Sequence, residues 1–378
     1  MNRIFLVFVL SLVFKTGAQT SVLNVADSLY AHGNYSKAIE SYNTLKNKEE
    51  VFHKIAMSYA AIGNYTEALK NYEAYITANP NDALIIYDYA KLLSNIKKHK
   101  EAAAVFNNLI AIDAKNPNYY YQLGMALEEL KDSTALNQFQ KTFELDNTHQ
   151  KAIYRIAKFN LIKREYDSVN HYTDIGLKSY ADNKELISLK AQNYYSKKDY
   201  RQAIVWYEKL IELGESSPFI HEQLSTSYHW IYDFEKAIEQ RKLVLEFNPN
   251  DATTIYVIGT YYEELNDLVN AEEYITKALW LMDEPLNDEY RRLGTILNRQ
   301  KKYKEAIEVL KKSVKEDPTN EFSNFQLALT YNEYYADYDA KIRAFENFKE
   351  KFPNGKLREF VDSRISELKK EKFMKDGQ

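Results

Sequence analysis

The 378-residue sequence contains no cysteine. Without a thiol the chain can form no disulfide, no thiolate metal site and no cysteine nucleophile, and it offers no cysteine for lipid attachment. Glycine is also scarce, with 10 residues, and none of them form the glycine-rich loop that cradles phosphate groups. These absences remove several classes of enzyme and cofactor site.

Histidine is sparse as well, and the seven histidines show no metal-ligand spacing. His221-Glu222 begins like the helix of a zinc protease, but Ser225 stands where that motif needs its second histidine. His221 and His229 lie eight residues apart, so they share a helix face at most. We therefore expect packed or surface histidines here, and no metal site.

Neither sign of charge dominates the sequence. Lys and Arg total 50 and Asp and Glu total 54, for a formal net charge of −4. Nucleic-acid binders usually carry a basic excess that displaces counterions, so we expect no nucleic-acid partner. Apolar residues make up 45% and charged residues 28%, which is the balance of a folded chain, and tyrosine is abundant with 32 residues.

Long apolar runs are missing except near the amino terminus. Arg3 precedes an apolar run from Ile4 to Phe14, and the small residues Gly17 and Ala18 follow it. This order predicts a signal peptide over residues 1–18 and an exported bacterial protein, periplasmic or secreted. A short membrane anchor or a buried helix is the alternative. We expect no membrane span after signal cleavage, because no later stretch approaches the roughly 20 apolar residues that a span needs.

What the sequence does contain is a repeat. A small residue recurs at intervals of 30 to 35 residues, and an aromatic residue usually stands three positions before it. The recurring residues are Ala38, Ala68, Ala102, Ala135, Val169, Ala203, Ala237, Ala271, Ala306 and Ala340. Apolar residues at helical spacing on both sides of each predict two antiparallel helices per unit, crossing at small residues.

This pattern resembles the tetratricopeptide repeat (TPR), most clearly in Gly63-Asn64-Tyr65-Thr66-Glu67-Ala68. The resemblance implies an all-α, right-handed superhelix of about ten helix-turn-helix repeats over residues 19–350. Residues 351–378 are then a C-terminal capping helix and tail, whose apolar face is formed by Phe360, Val361, Ile365 and Leu368. Three departures are Val169 in place of alanine, a short first repeat, and a fourth repeat that has lost one residue in its turn.

The resemblance also implies that the first helices of successive repeats line a concave groove. Reading the expected groove positions along the chain gives seven ligand-binding candidates: Tyr87, Tyr121, Tyr154, Tyr195, His229, Trp230 and Tyr256. Rigid, amphipathic rings provide contact area at low entropic cost, so a row of tyrosines suits a peptide or a stacked sugar chain. The alternative is that these rings pack between neighbouring first helices and need no ligand.

No catalytic grouping emerges from the sequence. The paired carboxylates Glu128-Glu129 and Glu263-Glu264 fall near the ends of first helices, where solvated side chains are expected. We therefore expect a non-enzymatic, cofactor-free scaffold of the bacterial cell envelope that binds a protein or extended peptide in its groove. The alternative function is a carbohydrate-binding solenoid that recognises a glycan through the tyrosines.

Overall fold

The structure is a computed structural model that describes residues 22–282 and 286–376. These residues form helices and turns, with no strand among them, as the repeat pattern predicts. The predicted signal peptide, residues 1–18, lies outside the described residues. Within the described ranges, no helix is both long enough and apolar enough to cross a lipid bilayer.

The chain divides into two compact units, and the first ends at Leu189. Each odd-numbered helix in it packs against the even-numbered helix that follows, forming five helix pairs in the described residues. The helices are α1 (22–31), α2 (Tyr35–Asn43), α3 (Phe52–Ala61), α4 (Tyr65–Ala78), α5 (Ala83–Asn95), α6 (His99–Ile112), α7 (Pro117–Glu129), α8 (Ala135–Leu145), α9 (Gln150–Ile162) and α10 (Tyr166–Ser179).

The second unit begins at Lys190, inside α11 (Lys184–Ser196). It continues the same alternation and closes with one additional helix. Its helices are α12 (Tyr200–Glu212), α13 (Pro218–Trp230), α14 (Phe234–Phe247), α15 (Ala252–Glu264), α16 (Leu268–Leu281), α17 (Asn287–Arg299), α18 (Tyr303–Glu316), α19 (Glu321–Tyr334), α20 (Tyr338–Lys351) and α21 (Arg358–Asp376).

Helix starts follow local capping chemistry. Asp82 caps α5 by accepting a hydrogen bond from the Ile85 amide at 3.3 Å, and Asp233 caps α14 in the same way. Such side chains satisfy amides that have no partner inside the helix. Pro117 and Pro218 occupy the first positions of α7 and α13, where the missing amide hydrogen costs nothing.

The turn inside a helix pair places one residue in the left-handed backbone region. Gly63 adopts this conformation with φ of 78°. In most pairs the equivalent residue is not glycine, and φ lies between 56° and 65° at Lys97, Lys131, Arg164, Lys198, Tyr232, Asn266 and Lys301. Side chains rarely adopt this conformation, so the repeat frame imposes it where local preference does not.

The two helices of a pair cross at small residues. Ala68, Ala102 and Ala203 are fully buried at these crossings. At Gly259 the approach is closer still, since a Cβ atom there would lie 2.6 Å from Ile275 Cγ1 and 3.0 Å from the Ile275 backbone nitrogen. The short approach lets larger side chains interdigitate on both sides of the crossing.

The last helix, α21, covers the apolar end of α20. Val361 and Leu368 are fully buried and Ile365 nearly so, in a cluster with Phe345. Phe360 differs from the expectation that placed it on the buried face. It is 53% exposed, because the helix directs it to the edge of the cluster, where it meets the Phe325 ring at a centroid distance of 5.5 Å.

Candidate binding face

Tyr87 lies half-buried on α5, between its own helix pair and the next. Its ring contacts Phe106 on α6 and Tyr119 on α7, with centroid distances of 6.1 Å and 5.8 Å. Burial raises the pKa of the Tyr87 hydroxyl, and a hydrogen bond with Gln122 partly opposes this effect. Part of the ring therefore serves packing between repeats, and part stays accessible.

Tyr121 occupies the equivalent position on α7 but is more enclosed. It is 9% exposed, and its ring contacts Phe139 at 5.8 Å and His149 at 5.0 Å. His149 is the N-cap of α9, so this contact joins two consecutive repeats. Tyr121 consequently offers a partner very little surface.

Tyr154 occupies the same repeat position as Tyr87, two repeats further on, and has the same kind of lysine neighbour. It is half-buried on α9, and the Lys158 ammonium lies 5.9 Å from its ring centroid. On α5, Lys91 lies 5.7 Å from the Tyr87 ring in the same register. Each pair is a cation–π contact between residues one helical turn apart.

We group the exposed and half-buried residues at these repeat positions of α5 and α9 as the tyrosine–lysine face: Leu84, Tyr87, Lys91, Tyr154 and Lys158. Leu84 is 70% exposed, one turn before Tyr87. Among the described residues, no ring-to-ring contact joins Tyr87, Tyr121 and Tyr154 to one another. The face therefore consists of separate aromatic and cationic points on a rigid helical frame, and not of a continuous stack.

The second unit brings three of the other candidates into an aromatic cluster. Tyr200 contacts Tyr195 at 5.8 Å and stacks on Trp230 at 5.7 Å with an interplanar angle of 7°. His229 adjoins Trp230 and stacks on Tyr261 at 5.1 Å. Trp230 remains 55% exposed, so the cluster presents one open indole.

Tyr256 lies apart from that cluster. It is partly buried on α15 and packs against the core formed by α16 and α17. Burial raises the pKa of its hydroxyl, while the Arg292 guanidinium, hydrogen-bonded to it, works in the opposite direction. The structure thus distributes the seven candidates over two units, with Tyr87, Tyr121 and Tyr154 in the first and Tyr195, His229, Trp230 and Tyr256 in the second.

Sequence reasoning missed Leu84 and Tyr232. Tyr232 is 80% exposed beside Trp230 and has a left-handed backbone, with φ of 65°. The sequence contained an indication of Tyr232, because bulky residues seldom occupy that position of a turn. Leu84 occupies the second position of its repeat, which the resemblance marks as groove-facing.

The polar groups that suggested chemistry are engaged in structural contacts. Glu128 pairs with Arg155 at 2.8 Å, and Glu263 pairs with Arg292 at 3.0 Å, so both link neighbouring first helices. His221 is 3% exposed, and its two ring nitrogens contact Gln240 and Ser216. Within the described ranges no cluster of three or more metal-binding side chains occurs.

Three comparisons with known proteins bear on the family. Tetratricopeptide-repeat models match residues 59–125, and also residues 185–215 and 290–320. The crystal structure of the C-terminal part of a TPR repeat-containing protein from Cytophaga hutchinsonii superposes with a TM-score of 0.51 at 19% identity, over 64% of this chain and 99% of that one. At this identity the likeness concerns the fold alone.

Two curated proteins of Schizosaccharomyces pombe are also similar. Anaphase-promoting complex subunit 3 is 22% identical over 200 residues, covering 51% of this chain and 29% of that protein. Superkiller protein 3 is 21% identical over 314 residues, covering 73% and 21%. The chain spans less than a third of the length of either relative. The helix pairs, their small-residue crossings and the matched segments show that this chain is built from tetratricopeptide repeats.

Proposed function

We propose that this chain is a non-enzymatic scaffold of the bacterial cell envelope that holds a protein, or an extended segment of one, against the tyrosine–lysine face. Tetratricopeptide-repeat proteins generally serve as scaffolds for protein–protein contacts. Export rests on the signal-like order of residues 1–18, and a non-catalytic role on the engagement of the carboxylates and His221 in structural contacts.

The observation that carries this proposal is the repetition of one recognition element. Tyr87 with Lys91, and Tyr154 with Lys158, occupy the same positions of repeats two apart, with ring–ammonium distances of 5.7 Å and 5.9 Å. A partner that crosses successive first helices meets the same chemistry twice. Exposed Leu84 adds apolar area beside the first pair. The face suits an extended segment that carries apolar and acidic side chains.

The carbohydrate alternative depends on ring faces that are open to a sugar. Tyr121 is 9% exposed, and the Tyr87 ring is partly covered by Phe106 and Tyr119. Trp230, with its outer face exposed, is the better stacking surface for a glycan. The test of the proposed function therefore also measures oligosaccharide binding.

Charge reversal on the face is expected to abolish partner capture. Chemical cross-linking and pull-down from envelope extract would compare the wild type with the Lys91→Glu/Lys158→Glu variant. We expect one dominant protein with the wild type and a loss of about tenfold or more with the variant, because an acidic partner would then meet like charge.

The matched control is Lys70→Glu/Lys100→Glu, which makes the same charge change at exposed positions on α4 and α6. It should capture the partner as well as the wild type does. Equal losses in both variants, or no captured protein with the wild type, would contradict the proposal. Saturable binding of an oligosaccharide, lost in Trp230→Ala, would favour the carbohydrate alternative.

A further inference from the structure

The fourth repeat lacks the first turn of its second helix. Seven other second helices begin on an aromatic residue: Tyr35, Tyr65, Tyr166, Tyr200, Phe234, Tyr303 and Tyr338. In contrast, α8 begins at Ala135 and has 11 residues, where α4 and α10 have 14. A turn replaces the missing helix, because Asp132 Oδ1 accepts hydrogen bonds from the amide and the hydroxyl of Thr134, at 2.8 Å and 2.7 Å.

In the sixth and seventh repeats that first-turn ring fills a defined place between repeats. Tyr200 contacts Tyr195 in the last turn of α11 and stacks on Trp230 at the end of α13. Phe234 contacts His229 of its own repeat at 5.7 Å and Tyr261 of the next at 6.2 Å. The ring therefore lies between the last turn of its own first helix and the last turns of the next first helix.

The equivalent place in the fourth repeat is open. A pocket of about 270 Å³ lies there, lined by Glu128, Phe159 and Ile162 among others. Glu128 occupies the same position in its repeat as Tyr195 and His229 do in theirs. In the same way Phe159 corresponds to Tyr261, and Ile162 corresponds to Trp230. These are the positions that hold the ring in the sixth and seventh repeats. Ile162 is 75% exposed, since no ring covers it.

The pocket has an apolar floor and a basic rim. Leu136 and Phe139 form part of its lining, and Lys131 and Lys158 are exposed at its edge. Of the two carboxylates at the edge, Glu128 is paired with Arg155 and Asp132 accepts the two hydrogen bonds of its turn. The lysines thus set the charge that an incoming group meets.

The pocket adjoins the tyrosine–lysine face. Phe139 on its floor contacts the Tyr121 ring, and Lys158 on its rim lies over Tyr154. Its volume falls below the roughly 300–1,000 Å³ of a small-molecule site. In the sixth and seventh repeats the same place holds one aromatic side chain, Tyr200 or Phe234.

We propose that this pocket, which we call the vacated aromatic seat, binds an aromatic side chain of the partner peptide, with an acidic residue beside that aromatic residue. The inference rests on the proposed function and specifies the partner segment. The aromatic ring takes the place of the absent first-turn residue between Phe159 and Ile162. The adjacent carboxylate pairs with Lys131 or Lys158 at the rim.

The test uses three tripeptides with blocked ends, Asp-Phe-Asp, Asp-Ala-Asp and Lys-Phe-Lys, titrated into the purified full chain. Methyl NMR signals of Ile162 and Leu136 report occupancy of the seat. We expect Asp-Phe-Asp to bind about tenfold to hundredfold more tightly than Asp-Ala-Asp, because only phenylalanine buries a ring. Lys-Phe-Lys should bind more weakly than Asp-Phe-Asp. Equal affinity of Asp-Phe-Asp and Asp-Ala-Asp would overturn the proposal.

A variant whose own side chain fills the seat provides the second part of the test. Ser133 lies on the turn that replaces the absent first-turn residue and lines the pocket, so Ser133→Trp fills the seat from the chain itself, and Leu136 still reports binding. We expect it to lose Asp-Phe-Asp binding, whereas Val269→Trp, at a site 71% exposed on α16, should retain it. If Ser133→Trp still captures the envelope partner while Lys91→Glu/Lys158→Glu does not, the seat is wrong and the scaffold function stands. If the wild type captures no partner, the scaffold function is wrong, and the tripeptide titrations alone decide whether the seat binds an aromatic side chain.

Discussion

Raising the pH above about 10 is expected to destabilise the folded protein steeply, because its buried tyrosines keep their protons only while folded. Burial raises the pKa of five tyrosine hydroxyls well above the ordinary value: Tyr42, Tyr72, Tyr89, Tyr207 and Tyr228. In three of them a hydrogen bond to a carboxylate adds to the effect. A group whose pKa is raised by folding stabilises the folded state fully at pH values below its unfolded pKa. That contribution is lost as the pH rises from the unfolded pKa towards the folded pKa.

At pH 11 each such tyrosine ionises in the unfolded chain but stays protonated in the folded one. Relative to its value near neutral pH, the free energy of unfolding is therefore lower by about 1.4 kcal/mol for each of them. The four of these tyrosines that are buried, all except the half-buried Tyr89, would together remove about 5–6 kcal/mol, which is comparable with the roughly 5–15 kcal/mol that stabilise a typical protein. Urea unfolding followed by circular dichroism between pH 8 and pH 11 measures this loss. A free energy of unfolding that stays constant across that range would contradict the expectation.

Two conservative variants separate the ionisation from ordinary packing. Tyr207 is fully buried, and its hydroxyl has no hydrogen-bond partner among the described residues, so Tyr207→Phe should keep or raise stability at pH 7 and resist alkali better. Tyr42 donates a hydrogen bond of 2.6 Å to Asp27, so Tyr42→Phe should cost about 1.5–3 kcal/mol at pH 7. Identical behaviour of the two variants would contradict this account.

Phe106→Ala is expected to lower the free energy of unfolding by about 3–5 kcal/mol, the usual cost of emptying a buried aromatic site. Phe106 is fully buried on α6, where it packs with Leu93, Leu109 and Leu123. Because each repeat contacts only its neighbours, the loss should appear first in α5, α6 and α7. Native-state hydrogen exchange resolves this locality, and urea unfolding measures its size.

The same substitution should also disturb the candidate face, because the Phe106 ring contacts Tyr87. The matched control is Phe322→Ala on α19, where the side chain is 58% exposed and the change should stay within about 0.5 kcal/mol. Similar costs for the two variants, or a loss of exchange protection spread evenly over all helices, would count against this assignment of the core.

The repeat frame could be predicted from sequence because each of its signals has a local cause. Aromatic residues three positions before the recurring small residue mark where second helices begin, as at Tyr65, Tyr200 and Tyr303. Ala68 and Ala203 are fully buried where helices cross, since larger side chains would force the backbones apart. These constraints act within a single helix pair, so a single sequence reveals them.

The candidate face was less predictable because its properties depend on neighbouring repeats. Tyr87 and Tyr121 occupy equivalent positions, yet His149 covers Tyr121 because it caps the following helix. The residue missing from the fourth turn was visible in the sequence, but its consequence was not. The pocket beside Ile162 lies where the sixth and seventh repeats place an aromatic ring, which only the packing of the next repeat reveals.

The most direct test of the scaffold function is site-specific photo-crosslinking in cells that produce the protein. A benzoylphenylalanine residue would replace either Leu84, on the tyrosine–lysine face, or Ile112, which is 42% exposed on α6. We expect position 84 to yield one dominant protein adduct and position 112 to yield little or none. Equal adducts from both positions, or none from position 84, would contradict the conclusion that this face holds a protein partner.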